Sequence, residues 1–211
     1  MREYFSDQFR WAYIEGQAQK LHEQRTGEDP SMWLAVHGPL PNVWLGVSAE
    51  DQATADLRVP PLLDTPAAVR FVSAEPLLGV IRFGAVRADV DGHIDALHGA
   101  VHVEGKNEPI EIPGLDWVIV GGESGRRPRP CGMHWIASIV DDCKRAGVPV
   151  FVKQLGARPY QPVVGGEDPS HFPCDVDWND GGECWDFRLK SRKGGDPREW
   201  PKPLRVREFP T

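Results

Sequence analysis

Glu123 and Ser124 stand directly after Gly121-Gly122, at the end of an apolar run that reads Leu115-Asp-Trp-Val-Ile-Val120. A carboxylate and a hydroxyl beside two glycines can hold the ammonium group and hydroxyls of a ligand. The glycines let a backbone or a ligand come close with no Cβ in the way. The loop continues into Arg126, Arg127 and Arg129, stiffened by Pro128 and Pro130. Guanidiniums at a ligand mouth suit phosphate, including a nucleic-acid backbone; a solvated basic turn accounts for them as well. Polar groups follow three other apolar runs in the same way. Val43-Trp-Leu-Gly-Val47 leads into Ser48, Glu50, Asp51 and Gln52; Val69-Arg-Phe-Val72 leads into Ser73, Glu75 and Pro76; Val148-Pro-Val-Phe-Val152 leads into Lys153 and Gln154. Lys153 can bind a carboxylate or phosphate, or pair with Glu123 or Glu75. Glu50, Asp51 and Glu75 suit polar binding or acid/base work, which depends on separations that a sequence does not state.

These groups act together only if the elements carrying them point the same way. Short runs of bulky, largely β-branched residues read as strands buried on both faces, as parallel strands are. Between them lies a short helix through Leu57, ended by Pro60-Pro61. A second helix over 133–146 puts Ile136, Ile139, Val140 and Cys143 at i, i+3, i+4 and i+7, with Gly147 as the C′ residue. Strands alternating with helical sequence argue for βα units and a parallel sheet. Ligands of such sheets bind beyond the carboxyl ends of the strands. There Glu50, Asp51, Glu75, Gly121, Gly122, Glu123, Ser124, Lys153 and Gln154 gather on one rim, with the arginines beside them.

Three stretches fall outside that pattern. Residues 2–25 read as a helix with Phe5, Phe9, Ala12 and Tyr13 on one side. Residues 82–113 do not fit a βα unit, and Asp91-Gly92 is a hairpin signal. His93, His98 and His102 in this insertion read as surface histidines, since no acidic or thiol partner is obvious. After Tyr160 the chain is rich in Pro and Gly. The expected organisation is a barrel-like part over 1–160, with 161–211 as an irregular extension packing on it.

At 211 residues the chain can bury one sizeable core. No run approaches the roughly 18 apolar residues of a membrane helix, and the amino terminus lacks a signal-peptide core. A cytoplasmic protein with no membrane partner is expected. The net charge of −7 argues against a generic nucleic-acid binder. It hides a basic stretch from Arg188 to Arg207, preceded by an acidic one from Glu167 to Asp186. Cys131, Cys143, Cys174 and Cys184 show no C-x2-C spacing and read as reduced thiols. Asp175, Asp177 and Asn179 with Gly181 miss the calcium-loop spacing by one residue, and His171, Cys174 and Cys184 lack a fourth zinc ligand. No metal site is assigned.

The segments PNVWLGVSAEDQ, TPAAVRFVSAEPLLG, LDWVIVGGESG, GVPVFVKQLG and KGGDPREWPKPLRVREFP together, in this order, resemble a phage-associated family of uncharacterised proteins. It is called the phage gene-product thirty-seven/sixty-eight family, or the three-cysteine-motif family. The resemblance covers residues 41–80 and 115–211, and weakly 1–10. It implies an α/β fold, a partial (β/α) TIM-like barrel similar to those of radical S-adenosylmethionine enzymes. For full-length members it implies S-adenosylmethionine and a [4Fe–4S] cluster on a C-x3-C-x2-C segment. This chain has no such segment, so the expectation is a barrel truncated at its amino terminus that binds no cluster by itself. On this reading Gly121, Gly122, Glu123 and Ser124 contact cofactor. Glu50, Asp51, Glu75, Lys153, Gln154, Arg126, Arg127 and Arg129 contact substrate, and the catalytic residues are unknown. The chain would then belong to an enzyme acting on an unknown substrate. The alternatives are a non-catalytic nucleotide- or nucleic-acid-binding module, or half of a split enzyme whose partner polypeptide supplies the missing part.

Overall fold

The computed structural model describes residues 39–88, 90–162, 184–186 and 188–211. The helix expected over 2–25 and the calcium-like and zinc-like spacings after His171 lie outside the described residues or their described side chains. The chain divides into two units, Met1–Val43 and Trp44–Thr211, and the second carries the architecture below.

Its elements are β1 (Trp44–Ser48), α1 (Gln52–Asp64), β2 (Val69–Ala74), β3 (Val86–Arg87), β4 (Gly92–Asp95), β5 (Ala100–Val103), β6 (Ile110–Glu111), β7 (Trp117–Gly121), β8 (Cys131–Gly132), α2 (Met133–Ala146), β9 (Val150–Gln154), β10 (Pro159–Pro162) and β11 (Cys184–Asp186). β1, β2, β7 and β9 form one sheet in the order β1-β2-β7-β9, every neighbouring pair parallel. The parallel α/β reading of the four apolar runs therefore holds.

Strand residues alternate between the two faces of this sheet. Val72 and Ala74 of β2, Val118 and Val120 of β7, and Val150 and Val152 of β9 are completely buried on one face. They pack with Val59, Leu62 and Leu63 of α1 and with Ile136, Ile139, Val140 and Cys143 of α2. The register sets Phe71 beside Trp117 and Ile119 beside Phe151 on the opposite face. Both helices thus serve one face, and among the described residues the sheet stays open and closes no barrel.

α2 forms over the expected residues and ends at Gly147, whose φ of 73° lets its N–H reach the carbonyls of Cys143 and Lys144. α1 departs from expectation: it runs through Pro60 and Pro61 to Asp64. Each proline removes a backbone donor, at about 3 kcal/mol in a helix interior. Burying Val59, Leu62 and Leu63 returns about 1.5–3 kcal/mol per side chain. Thr65 then closes the end by donating its hydroxyl to the Pro61 carbonyl at 2.7 Å.

The insertion is larger than a hairpin. β3, β4, β5 and β6 form an antiparallel meander, in which Val86 and Arg87 pair with Ile94 and His93. β5 and β6 escape a periodicity reading because they are short and only half buried or exposed. β8, β10 and β11 make a third small sheet.

The carboxyl-terminal segment lines the edge of β9. Val152 N–H donates to Val206 O at 2.9 Å and Glu208 N–H to Val150 O at 3.0 Å. Trp200 and Leu204 are buried in the same core as the helices. No helix among the described residues is long and apolar enough to cross a membrane.

Candidate functional site

The carboxyl ends of β2, β7 and β9 meet at one point. Lys153, exposed at the end of β9, donates from Nζ to Glu75 Oε2 at 2.9 Å. The other oxygen, Glu75 Oε1, is buried and has no hydrogen-bond partner among the described residues. It lies over Gly121, where a Cβ would come within 2.5 Å of it. A Cβ on Gly122 would meet the Leu155 carbonyl and the Cys131 side chain. The two glycines therefore serve close packing of the strand exits. Gln154 belongs to the same packing, since its side-chain amide donates to Gly122 O at 2.9 Å.

Glu123 is the organiser of the loop that follows. Its carboxylate accepts from the Arg129 backbone N–H at 2.9 Å, from Arg129 Nε at 2.7 Å and from Arg129 Nη2 at 3.3 Å. The Arg129 guanidinium, and then its backbone N–H, hold this carboxyl below its ordinary range. Charge-assisted contacts of this kind tie the loop shut across Ser124–Pro128. Ser124 is half-buried within it, while Arg126 and Arg127 project into solvent. Neither has a hydrogen bond or ion pair among the described residues. Arg127 adopts a left-handed backbone with φ of 58°, uncommon for a long side chain.

The carboxylates after β1 have other duties. Asp51 caps α1, accepting from Thr54 N–H at 2.8 Å and from the Thr54 hydroxyl at 2.7 Å. The backbone bond, then the hydroxyl, lowers its pKa. Glu50 pairs with Arg58 at 3.1 Å, and its charge also reaches Arg129. Glu50 is therefore on the rim, whereas Asp51 is committed to the helix start.

The fold adds residues that the sequence left apart. Leu155 N–H donates to Gly194 O at 2.9 Å, and Ala157 N–H to Glu123 O at 2.8 Å. Gly156, at φ of 86°, sits against the Glu123 backbone on one side and Gly194 on the other. The Ser191–Gly195 turn thus adjoins the Glu123 loop. It is anchored by Glu199, which accepts from Lys190 N–H at 2.8 Å and Ser191 N–H at 3.2 Å. Arg192 and Lys193 on this turn are exposed and without ion pairs among the described residues. The only signal for this placement was Gly194-Gly195, which reads as a turn without saying what it packs against.

Two thiols, Cys131 and Cys143, fall among the described side chains. Cys131 and Cys143 are buried, and burial pushes each up to about 12, so both stay protonated. The described residues contain no group of three His, Cys, Asp or Glu side chains able to hold a metal. His93 and His102 face each other across β4 and β5, rings 4.7 Å apart and 11° from parallel. Their nitrogen lone pairs lie in stacked planes and do not converge on one cation. His98 does have an acidic partner, pairing through Nδ1 with Asp95 at 2.8 Å.

Residues 5–195 match the model of a family described as protein of unknown function (DUF5131). No curated protein and no solved structure matches the chain.

Proposed function

We propose, for a chain that belongs to the DUF5131 family of unknown function, that the carboxyl-end rim of the parallel sheet binds a phosphate-bearing ligand, a nucleotide or a nucleic acid. The observation that carries this reading is the division of labour inside the Glu123 loop. Glu123 takes up Arg129, and Arg126 and Arg127 stay without an ion pair among the described residues, on a closed loop beside Arg192 and Lys193. A guanidinium already held away from carboxylates keeps its donors for phosphate oxygens. The net charge of −7 disfavours polyanions over the molecule as a whole, so binding would have to rely on locally exposed cations such as these.

Binding of labelled oligonucleotides, measured by anisotropy across a salt series, tests the reading. Affinity should fall as salt rises, each neutralised phosphate contributing about 0.7 to 0.9 to the logarithmic slope. The double substitution Arg126→Ala/Arg127→Ala should weaken binding and flatten that slope. No binding at low salt, with pyrophosphate and mononucleotides equally inert, removes the proposal.

A second reading keeps the likeness to radical S-adenosylmethionine barrels. In its favour are parallel strands with polar exits and helices on one face, together with the resemblance of the five segments. It asks for two further things. A ligand ammonium reaching Glu123 would have to displace Arg129, and cluster thiolates would have to come from another polypeptide. Anaerobic reconstitution with iron and sulfide decides the second point, since a stoichiometric cluster on this chain alone contradicts it.

A further inference from the structure

We infer that the rim's ligand is single-stranded nucleic acid, whose bases stack on the sheet face that carries no helix among the described residues. The inference rests on the phosphate-binding reading above and adds the class of ligand. The helix-bearing face is closed by aliphatic side chains, but the opposite face is aromatic. Trp117 lies at its centre, with Trp44 at 5.9 Å, Phe71 at 5.9 Å, Phe151 at 6.3 Å and Phe209 at 5.4 Å between ring centroids. This group stands outside the core formed with the two helices. Trp44 is 45% exposed and Phe209 58% exposed. Single exposed apolar side chains are ordinary on a protein surface. Here the two flank one buried ring on one face.

That face changes character along the strands. Its amino end is aromatic, and its carboxyl end holds Ser48, Ser73, Glu75 and Lys153, next to the arginine loop. From Trp44 to Ser48 the strand rises about 13 Å. A flexible polyanion with several bases and phosphates can meet ring faces at one end and guanidiniums at the other. Cations also adjoin the rings themselves. The Arg207 guanidinium lies 5.3 Å from the Phe151 ring centroid and 5.4 Å from that of Trp200, and the residue is exposed. Aromatic faces interleaved with cations are the arrangement that takes unpaired bases and their backbone together. A duplex keeps its base faces stacked inside and has nothing to offer Trp44 or Phe209.

The test compares single-stranded DNA, single-stranded RNA and duplex DNA of equal length on the full chain. Both single strands should bind at least about tenfold tighter than duplex at matched salt, and should quench tryptophan fluorescence. Trp44→Ala should weaken single-strand binding about 5- to 150-fold with the salt slope unchanged, while Trp44→Phe keeps most of it. Arg126→Ala/Arg127→Ala should instead lower the slope. Equal binding of duplex and single strand, with a slope that the arginines control, overturns this inference and leaves the phosphate reading standing. Full affinity in both Trp44→Ala and Phe209→Ala also overturns it. Failure of every polyanion to bind overturns both.

Discussion

Two carboxylates on the rim show how differently one residue type is used. Glu123 is half-buried and bonded through both oxygens to Arg129, a staple for a loop. Glu75 keeps one oxygen on Lys153 and buries the other over Gly121. A buried oxygen without a donor is costly, and Gly121 is the residue that lets it lie there. Gly121→Ala should therefore destabilise the protein by about 1–3 kcal/mol in urea unfolding. The double substitution Gly121→Ala/Glu75→Ala should recover part of that loss, because the clash needs both partners. Additive losses would show that the crowding lies elsewhere, at Gln154 O for example. His134 supplies a pH dependence. Burial pushes its pKa from 6.5 down to about 4, so the folded protein excludes a proton that the unfolded chain accepts. Its contribution to stability is whole above pH 6.5 and declines as pH falls toward 4. Unfolding midpoints followed between those values should drop, and His134→Phe should flatten the trend.

At the scale of elements, packing overrules local signals in α1 and supplements them at β9. Pro60 and Pro61 should end a helix, yet the helix continues because Leu62 and Leu63 reach the core. Pro60→Ala restores a backbone donor inside that helix and should raise stability by about 1–3 kcal/mol, with the denaturant slope unchanged. No gain would mean that the freed carbonyl was already satisfied. The carboxyl-terminal segment behaves as a strap whose anchors are Trp200 and Leu204. Leu204→Ala should cost about 2–5 kcal/mol, as other large-to-small changes in packed cores do. Removing residues 205–211 should bare the edge of β9, and bare edges pair with one another. Concentration-dependent association by light scattering is the expected result, and a monodisperse monomer would show that β9 needs no cover.

For the whole molecule, the charge of the loops matters most at the rim. Four exposed cations without ion pairs among the described residues, Arg126, Arg127, Arg192 and Lys193, stand where the β7 exit and the Ser191–Gly195 turn come together. That is a long-range arrangement, sensitive to ionic strength over a Debye length of about 8 Å at physiological salt. Much of the architecture could be read from the chain alone. Four apolar runs gave four parallel strands, and the spacing of Ile136, Ile139, Val140 and Cys143 gave α2 together with its Gly147 stop. Those features are local: burial on both faces selects bulky strand residues, and a period near four selects a helix. The polar exits were legible for the same reason, since strand direction decides which end they leave from.

What each exit does was not legible. Lys153 and Glu75 are 78 residues apart in the chain, and Arg207 meets Phe151 across a gap of similar scale. Nothing in the neighbourhood of Glu123 said that Arg129 would take it, rather than a ligand, or that Asp51 would be spent on a helix cap. Nor could composition place the turn carrying Arg192 and Lys193 beside the Gly-Gly-Glu loop. Side-chain periodicity determined the elements and their direction because it acts between near neighbours. Only the packed fold decided which charges are cancelled and which face the solvent, because that depends on contacts made after distant segments have met.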